Sequence, residues 1–246
     1  MELLVDIGNT NLKWTLGAPR AGIPLEPMRT LRHHGGLPID LLASWEALEG
    51  PGRVRVSSVA AAALTDALCR AIRAYWGLEP EVVRPHAQCQ GLRIAYEDPS
   101  RLGVDRWLAL LAARQLVAAP VLVLDAGTAI TFDLLLADGR HLGGLILPGV
   151  ETMRQALLAN TQIPAVTPEE VDDSWASDTA TAIAVASLDS PVALAERLLR
   201  KLATEAGAEP VLIVTGGDAE RLKSRLQVPA LLVPDLVLQG LVLAPD

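Results

Sequence analysis

Two stretches of the chain share one hydrophobic pattern. The apolar run Leu3-Leu4-Val5 ends in Asp6, passes through Ile7-Gly8-Asn9-Thr10, and returns as a second strand-like stretch from Leu12 to Leu16. Halfway along, Val121-Leu122-Val123-Leu124 ends in Asp125, passes through Ala126-Gly127-Thr128, and returns as Ala129 to Asp133. Each reads as a strand ending in Asp-x-Gly, a turn, and a returning strand. The two aspartates lie close to half a chain length apart, so the pattern predicts two homologous halves, residues 1–116 and 117–246, facing each other across a cleft.

The rest alternates between helical and strand patterns. Helices are predicted over Ala60–Trp76, Glu151–Ala159 and Pro191–Ala206, the last with Leu194, Leu198 and Leu202 at helical spacing behind a starting proline. Trp107 to Leu124 reads as a buried helix followed by a strand. Pro210 to Asp218 reads as a buried strand leading through Gly216-Gly217 into a helix. Gly17–Pro38, with several Gly and Pro, reads as surface connection or irregular β structure. The fold class is α/β.

Composition narrows the function. Half of the 246 residues are hydrophobic but aromatics make up only 3%, so the core is aliphatic, with the five tryptophans as scattered core filling. A net charge of -8 and a pI near 5.0 argue against a nucleic-acid partner, which needs a positive surface. The longest apolar region is broken by Arg114, Gln115 and Pro120, and Met1 to Asp6 lacks a basic start. A soluble cytoplasmic protein without a membrane partner is expected. Cys69 and Cys89 fit reduced thiols better than a disulfide framework. His33, His34, His86 and His141 show no zinc-like spacing and are expected to be surface or hydrogen-bonded structural residues. Asp172-Asp173 reads as a solvated or capping pair.

The turns carry the chemistry. Glycine lets backbone approach a ligand closely, and successive N–H groups then point at phosphate oxygens, with Thr10 and Thr128 adding hydroxyl donors. Asp6 and Asp125, at strand ends, are placed to hold the cations that neutralise those phosphates. One Asp-x-Gly-x-Thr is equally a plain hairpin. Two copies and the Gly216-Gly217 turn together describe duplicated actin-like, ribonuclease H-like halves of the sugar-kinase superfamily, flanking a cleft for ATP. No Walker motif is present. Phosphoryl transfer also needs a carboxylate near the attacking hydroxyl. Tyr96 to Trp107 offers one, with Gly103 allowing close approach, Asp105 as base and Arg106 as a planar cationic fork. Taken alone, this segment reads better as a helix N-terminus, with Asp105 in an acidic first turn and Arg106 solvated.

The motifs in order resemble the type III pantothenate kinases. Asp6 to Thr10 matches their Asp-x-Gly-Asn-Thr turn. Tyr96, Pro99, Leu102, Gly103, Asp105 and Arg106 match a Tyr-x-x-Pro-x-x-Leu-Gly-x-Asp-Arg motif. Asp125 to Asp133 matches Asp-x-Gly-Thr-Ala-x-Thr-x-Asp, and Gly143 to Gly149 matches Gly-Gly-x-Ile-x-Pro-Gly. Thr161-Gln162-Ile163-Pro164 is similar to the Thr-x-x-Leu-Pro stretch that follows. The resemblance implies ATP-dependent phosphorylation of pantothenate to 4'-phosphopantothenate, the first step towards coenzyme A, with magnesium and a monovalent cation, potassium or ammonium. It implies that Asp6, Ile7, Gly8, Asn9, Thr10, Asn11, Leu12 and Lys13 line the ATP phosphates together with Thr128. Asp125 would bind the monovalent cation. Tyr96, Gly103, Val104, Asp105 and Arg106 would hold pantothenate, with Asp105 accepting the proton of its terminal hydroxyl.

The resemblance also implies a homodimer whose pantothenate pocket lies at the subunit interface. Thr179, in Thr179-Ala180-Thr181-Ala182-Ile183, would contribute there. The chain departs from this helix motif at Ala186, where the family has Gly, and at Ala176-Ser177-Asp178, which lacks a Gly-Lys or Gly-Arg start. Two rival readings are a kinase for another small molecule, opposed by the intact Tyr-to-Arg motif, and a non-catalytic nucleotide-binding regulator, opposed by the presence of Asp105 and Asp6.

Overall fold

A computed structural model describes residues 1–17, 26–46, 48, 50–163 and 175–245. Pro164 and Asp172-Asp173 therefore lie outside the described residues. The chain divides into two compact units, Met1–Gln115 with Asp235–Asp246, and Leu116–Pro234.

The first unit opens with β1 (Glu2–Ile7) and β2 (Asn11–Gly17), the predicted hairpin, followed by β3 (Arg29–Arg32), an exposed edge strand within the segment read as irregular. Then come α1 (Ile39–Glu46), β4 (Arg53–Ser58), α2 (Ala62–Trp76) and β5 (Glu81–Val82). The sheet order is β3-β2-β1-β4-β5, antiparallel through the first three strands and parallel beyond. All six residues of β1 are buried, as a central strand covered on both faces requires. Leu3, Val5 and Ile7 enter a core with Trp14, Trp45, Leu64, Leu68 and Ile72. A small hairpin, β6 (Gln88–Cys89) and β7 (Leu92–Arg93), and a 3-10 turn (Pro99–Arg101) lead into α3 (Val104–Leu116).

The second unit repeats this plan. Strands β8 (Val121–Ala126), β9 (Ala129–Leu135) and β10 (His141–Pro148) form the antiparallel part, and β11 (Val211–Thr215) and β12 (Ala230–Leu232) the parallel part, in the order β10-β9-β8-β11-β12. Helices α4 (Val150–Ala159), α5 (Thr179–Ala206) and α6 (Ala219–Lys223) complete it. Two copies of one mixed sheet with helices make this a duplicated actin-like α/β fold.

Three sequence expectations change. The helix read from Pro191 begins at Thr179 and runs through the proline. A proline inside a helix costs about 3 kcal/mol. Here Leu188 and Val192 on either side of it, and Ala195 and Leu202 beyond, bury into one core with β8, β9 and β11, which outweighs that cost. Second, the last helix, α7 (Leu236–Leu243), returns to the first unit and packs against β1, β2 and β4. Arg55, buried on β4, fixes it there by donating to the carbonyls of Leu241 (2.6 Å), Ala244 and Pro245 (both 2.8 Å). A cation at a helix C-terminus satisfies carbonyls that have no partner within the helix. Third, Trp175 is not core filling: it is 89% exposed, in a segment to Asp178 whose residues are all exposed. Trp14, Trp45 and Trp107 are fully buried.

Candidate active site

The first phosphate-turn candidate closes β1 onto β2. Gly8 N–H donates to Asn11 O at 2.9 Å, which tightens the loop from Gly8 to Asn11. Asn9 is exposed and Thr10 and Lys13 are half-buried, so their polar groups are accessible. Ile7 and Leu12 turn their side chains into the core, leaving only backbone for a ligand. Asp6 is 7% exposed, and in register it lies between Lys13 on β2 and Ser57 on β4. A sheet neighbour of this kind presents its side chain to the same face, so a cation and a hydroxyl flank the carboxylate.

The second turn has the same hydrogen bond one residue shorter: Gly127 N–H donates to Ala129 O at 3.1 Å. Thr128 is exposed and Asp125 is half-buried. The Gly216 turn packs onto this one. Gly216 has φ +97°, and a Cβ there would lie 2.5 Å from Asp125 Oδ1 and 2.6 Å from Ala126 O. Asp218 N–H donates to Ala126 O at 2.9 Å. The missing side chain thus keeps one carboxylate oxygen beside two glycine turns. That cradle suits a cation: hard cations take oxygen ligands, and those that accompany ATP take one or two carboxylates and leave the rest to phosphate and water. Among the described residues no cluster of three metal-ligating side chains exists.

The acceptor motif is brought together within the first unit. Asp98 caps the 3-10 turn by accepting from Ser100 N–H at 3.0 Å, and these Ser100 bonds hold its carboxyl below the usual range. Asp105 sits in the first turn of α3, half-buried, its Oδ1 accepting from Arg106 N–H at 2.8 Å. A Cβ on Gly103 would lie 2.5 Å from that same oxygen, so glycine is what gives the carboxylate its place. Arg106 is buried, donates through Nη1 to Tyr96 Oη at 3.1 Å, and stands 5.9 Å over the Tyr96 ring. The hydrogen bond and the cation–π contact tie the two side chains together. Gly103 and Val104 also line a cavity of about 710 Å³ beside α2, together with Thr65, Asp66, Arg70 and Arg84; Tyr96, Asp105 and Arg106 do not line it.

Thr179 belongs to the second unit, where it is the first residue of α5 and exposed. Asp178 caps the helix by accepting from Thr181 N–H at 2.9 Å, a bond that lowers its pKa. Thr179, Ile183 and Ala186 border a shallow depression with Leu157. The Ala186 methyl is exposed there and fits without displacing a packed element.

Sequence reading gave no functional weight to two residues that touch the turns. His33 is buried against the first, with Nε2 2.8 Å from Gly8 O. Gly149 is buried against the second, with its N–H 2.8 Å from Thr128 O. The available signal was the duplication: both follow the third strand of their meander.

Comparison with known proteins bears on the family and the fold. The family profile for type III pantothenate kinase matches residues 2–201. A type III pantothenate kinase of Nitrosococcus oceani is 37% identical over 98% of this chain and 92% of its own. Another, from Xanthomonas campestris pv. campestris, is 41% identical over 90% and 88%. Among solved structures, a conserved Campylobacter jejuni protein described as a Baf family transcriptional activator superposes with a TM-score of 0.61 at 22% identity, covering 97% of this chain and 94% of that one. An ethanolamine utilization protein of Carboxydothermus hydrogenoformans superposes at 0.51 and 15% identity, over 99% and 89%. At those identities the two structures bear on the fold alone.

Proposed function

The chain belongs to the type III pantothenate kinase family, and from that membership we propose the division of labour among its residues in phosphorylating pantothenate with ATP. The reaction forms a bond between the terminal hydroxyl oxygen of pantothenate and the γ-phosphorus, breaks the β–γ bridge, and releases ADP and 4'-phosphopantothenate. Asp105 takes the hydroxyl proton. Its support is the geometry at Gly103, which leaves space for that carboxylate beside buried Arg106 and its half-buried partner Tyr96. Arg106 and Tyr96 orient pantothenate, with Gly103 and Val104 supplying close backbone. The Gly8–Lys13 turn and the hydroxyls of Thr10 and Thr128 receive the ATP phosphates. Magnesium bound with the nucleotide would supply neutralisation of the phosphate charge. No helix of the described residues is long and apolar enough to cross a membrane; the enzyme proposed is cytoplasmic.

Asp125 is the ligand proposed for potassium or ammonium. A carboxylate within a few ångströms of phosphate repels it by about 1–4 kcal/mol at effective dielectrics from 80 down to 20. Replacing sodium with potassium or ammonium should therefore raise activity in the presence of magnesium. Asp125→Ala should weaken that dependence and the apparent ATP affinity together. Titrating potassium against ATP checks this: equal potassium activation in wild type and variant rejects the ligand role and leaves Asp125 as a turn anchor.

Assembly is the remaining part of the proposal. Thr179, exposed at the start of α5, reaches the pantothenate pocket of a second copy in a homodimer. Mixing Thr179→Ala and Asp105→Asn chains should restore activity through heterodimers that contain one intact site. Full activity from a chain that light scattering shows to be a strict monomer would sink the interface assignment.

A further inference from the structure

We propose that His33 is a positioning residue for the first phosphate turn, holding the Gly8 carbonyl so that the N–H groups after it stay aimed at ATP. The inference rests on the reading of Asp6–Lys13 as that turn. His33 follows β3 directly and is 7% exposed. Its backbone N–H donates to Thr10 O at 3.0 Å, and its Nε2 lies 2.8 Å from Gly8 O. A carbonyl only accepts, so Nε2 carries the proton. Gly35 N–H approaches Nδ1, on the other side of the ring, at 3.4 Å. One residue thus grips the turn at two carbonyls, on either side of exposed Asn9.

The second half shows why this grip belongs to the turn and not merely to the end of a strand. Gly149 follows β10 as His33 follows β3, and its N–H donates to Thr128 O at 2.8 Å, as His33 N–H does to Thr10 O. A Cβ at Gly149 would overlap Gly127 O, the carbonyl equivalent to Gly8 O. At this position the side-chain direction therefore points at the first glycine carbonyl of the turn in both halves. In the second, backbone packs on the carbonyl directly. In the first, whose loop is one residue longer, the imidazole spans the gap and closes it with a hydrogen bond.

The test compares His33→Met with His33→Gln, side chains of similar length of which only Gln carries a donor. Steady-state kinetics should show KM for ATP raised about three- to ten-fold in His33→Met, the range of one lost hydrogen bond, with KM for pantothenate unchanged. His33→Gln should recover most of that loss. Direct nucleotide titration should move in parallel. Thr10→Val reports on the underlying reading. If Thr10→Val weakens ATP binding while both His33 variants bind ATP like wild type, His33 does not position the turn. If Thr10→Val also leaves ATP binding unchanged, the turn assignment itself fails. A His33→Met protein with a lowered Tm but wild-type ATP affinity well below that temperature assigns His33 to stability only and overturns the proposal.

Discussion

Replacing Asp105 with asparagine is expected to lower kcat about 10²–10⁴-fold, the usual loss of a general base, or about 2.7–5.5 kcal/mol of transition-state stabilisation. Asparagine is the informative choice because it keeps the local structure. Its Oδ1 can still accept from Arg106 N–H, the 2.8 Å bond that Asp105 makes, and its size suits the space left by Gly103. What is lost is the negative charge, and with it the ability to take a proton. The competing view is that Asp105 serves the N-terminus of α3, where a negative charge offsets the helix dipole by about 0.3–1 kcal/mol. That role would lower Tm and leave kcat intact. Turnover at saturating ATP, magnesium and pantothenate, with a melting curve of the same preparation, separates the two. A folded Asp105→Asn enzyme with near-normal kcat removes Asp105 from the chemistry.

The duplication was legible because its parts are local. Apolar runs that end in Asp-x-Gly specify a hairpin without reference to the rest of the chain, and both hairpins are found where the pattern placed them. The acceptor motif is likewise continuous, and a single helix start gathers Gly103, Asp105 and Arg106. What depended on contacts distant in sequence was not legible. Pro191 looks like a helix start until Leu188 and Val192 are seen buried in one core. The apolar residues of α7 do not indicate which sheet they cover; Arg55, far away in sequence, marks the place through carbonyls that carry no sequence signature. His33 has no spacing partner among the histidines because its partner is a backbone carbonyl. The motif Gly143 to Gly149 was readable as a motif, but its last glycine could be read as a clamp only after β10 was seen to deliver it to the second turn.

Gly149→Ala is expected to damage the enzyme more than a single methyl group usually does. The φ of Gly149 is −63° and its ψ 163°, a conformation any residue adopts, so backbone freedom is not why glycine stands there. Space is. The new Cβ would overlap Gly127 O and lie 2.6 Å from Thr128 O, and both obstacles are backbone, which cannot rotate away as a side chain can. Either α4 or the turn must move. Helix α4 is tied to the turn through Gly149 N–H and through Thr152 Oγ1, which donates to Thr128 O at 3.1 Å. Displacing it breaks those bonds; displacing the turn shifts Thr128 and the neighbouring Asp125. Overpacking of this kind costs about 1–3 kcal/mol of stability, and a shift of about 1 Å in a positioning element can cost about 10²-fold in rate. The expected result is a lowered Tm together with a kcat/KM for ATP reduced about 100-fold. Gly52→Ala, where a Cβ would meet only Met1 O at 3.9 Å, should behave like wild type in both measurements. If Gly149→Ala loses stability but keeps its kcat/KM for ATP at a temperature where it is fully folded, α4 has yielded instead of the turn, and Thr128 is not placed by this contact.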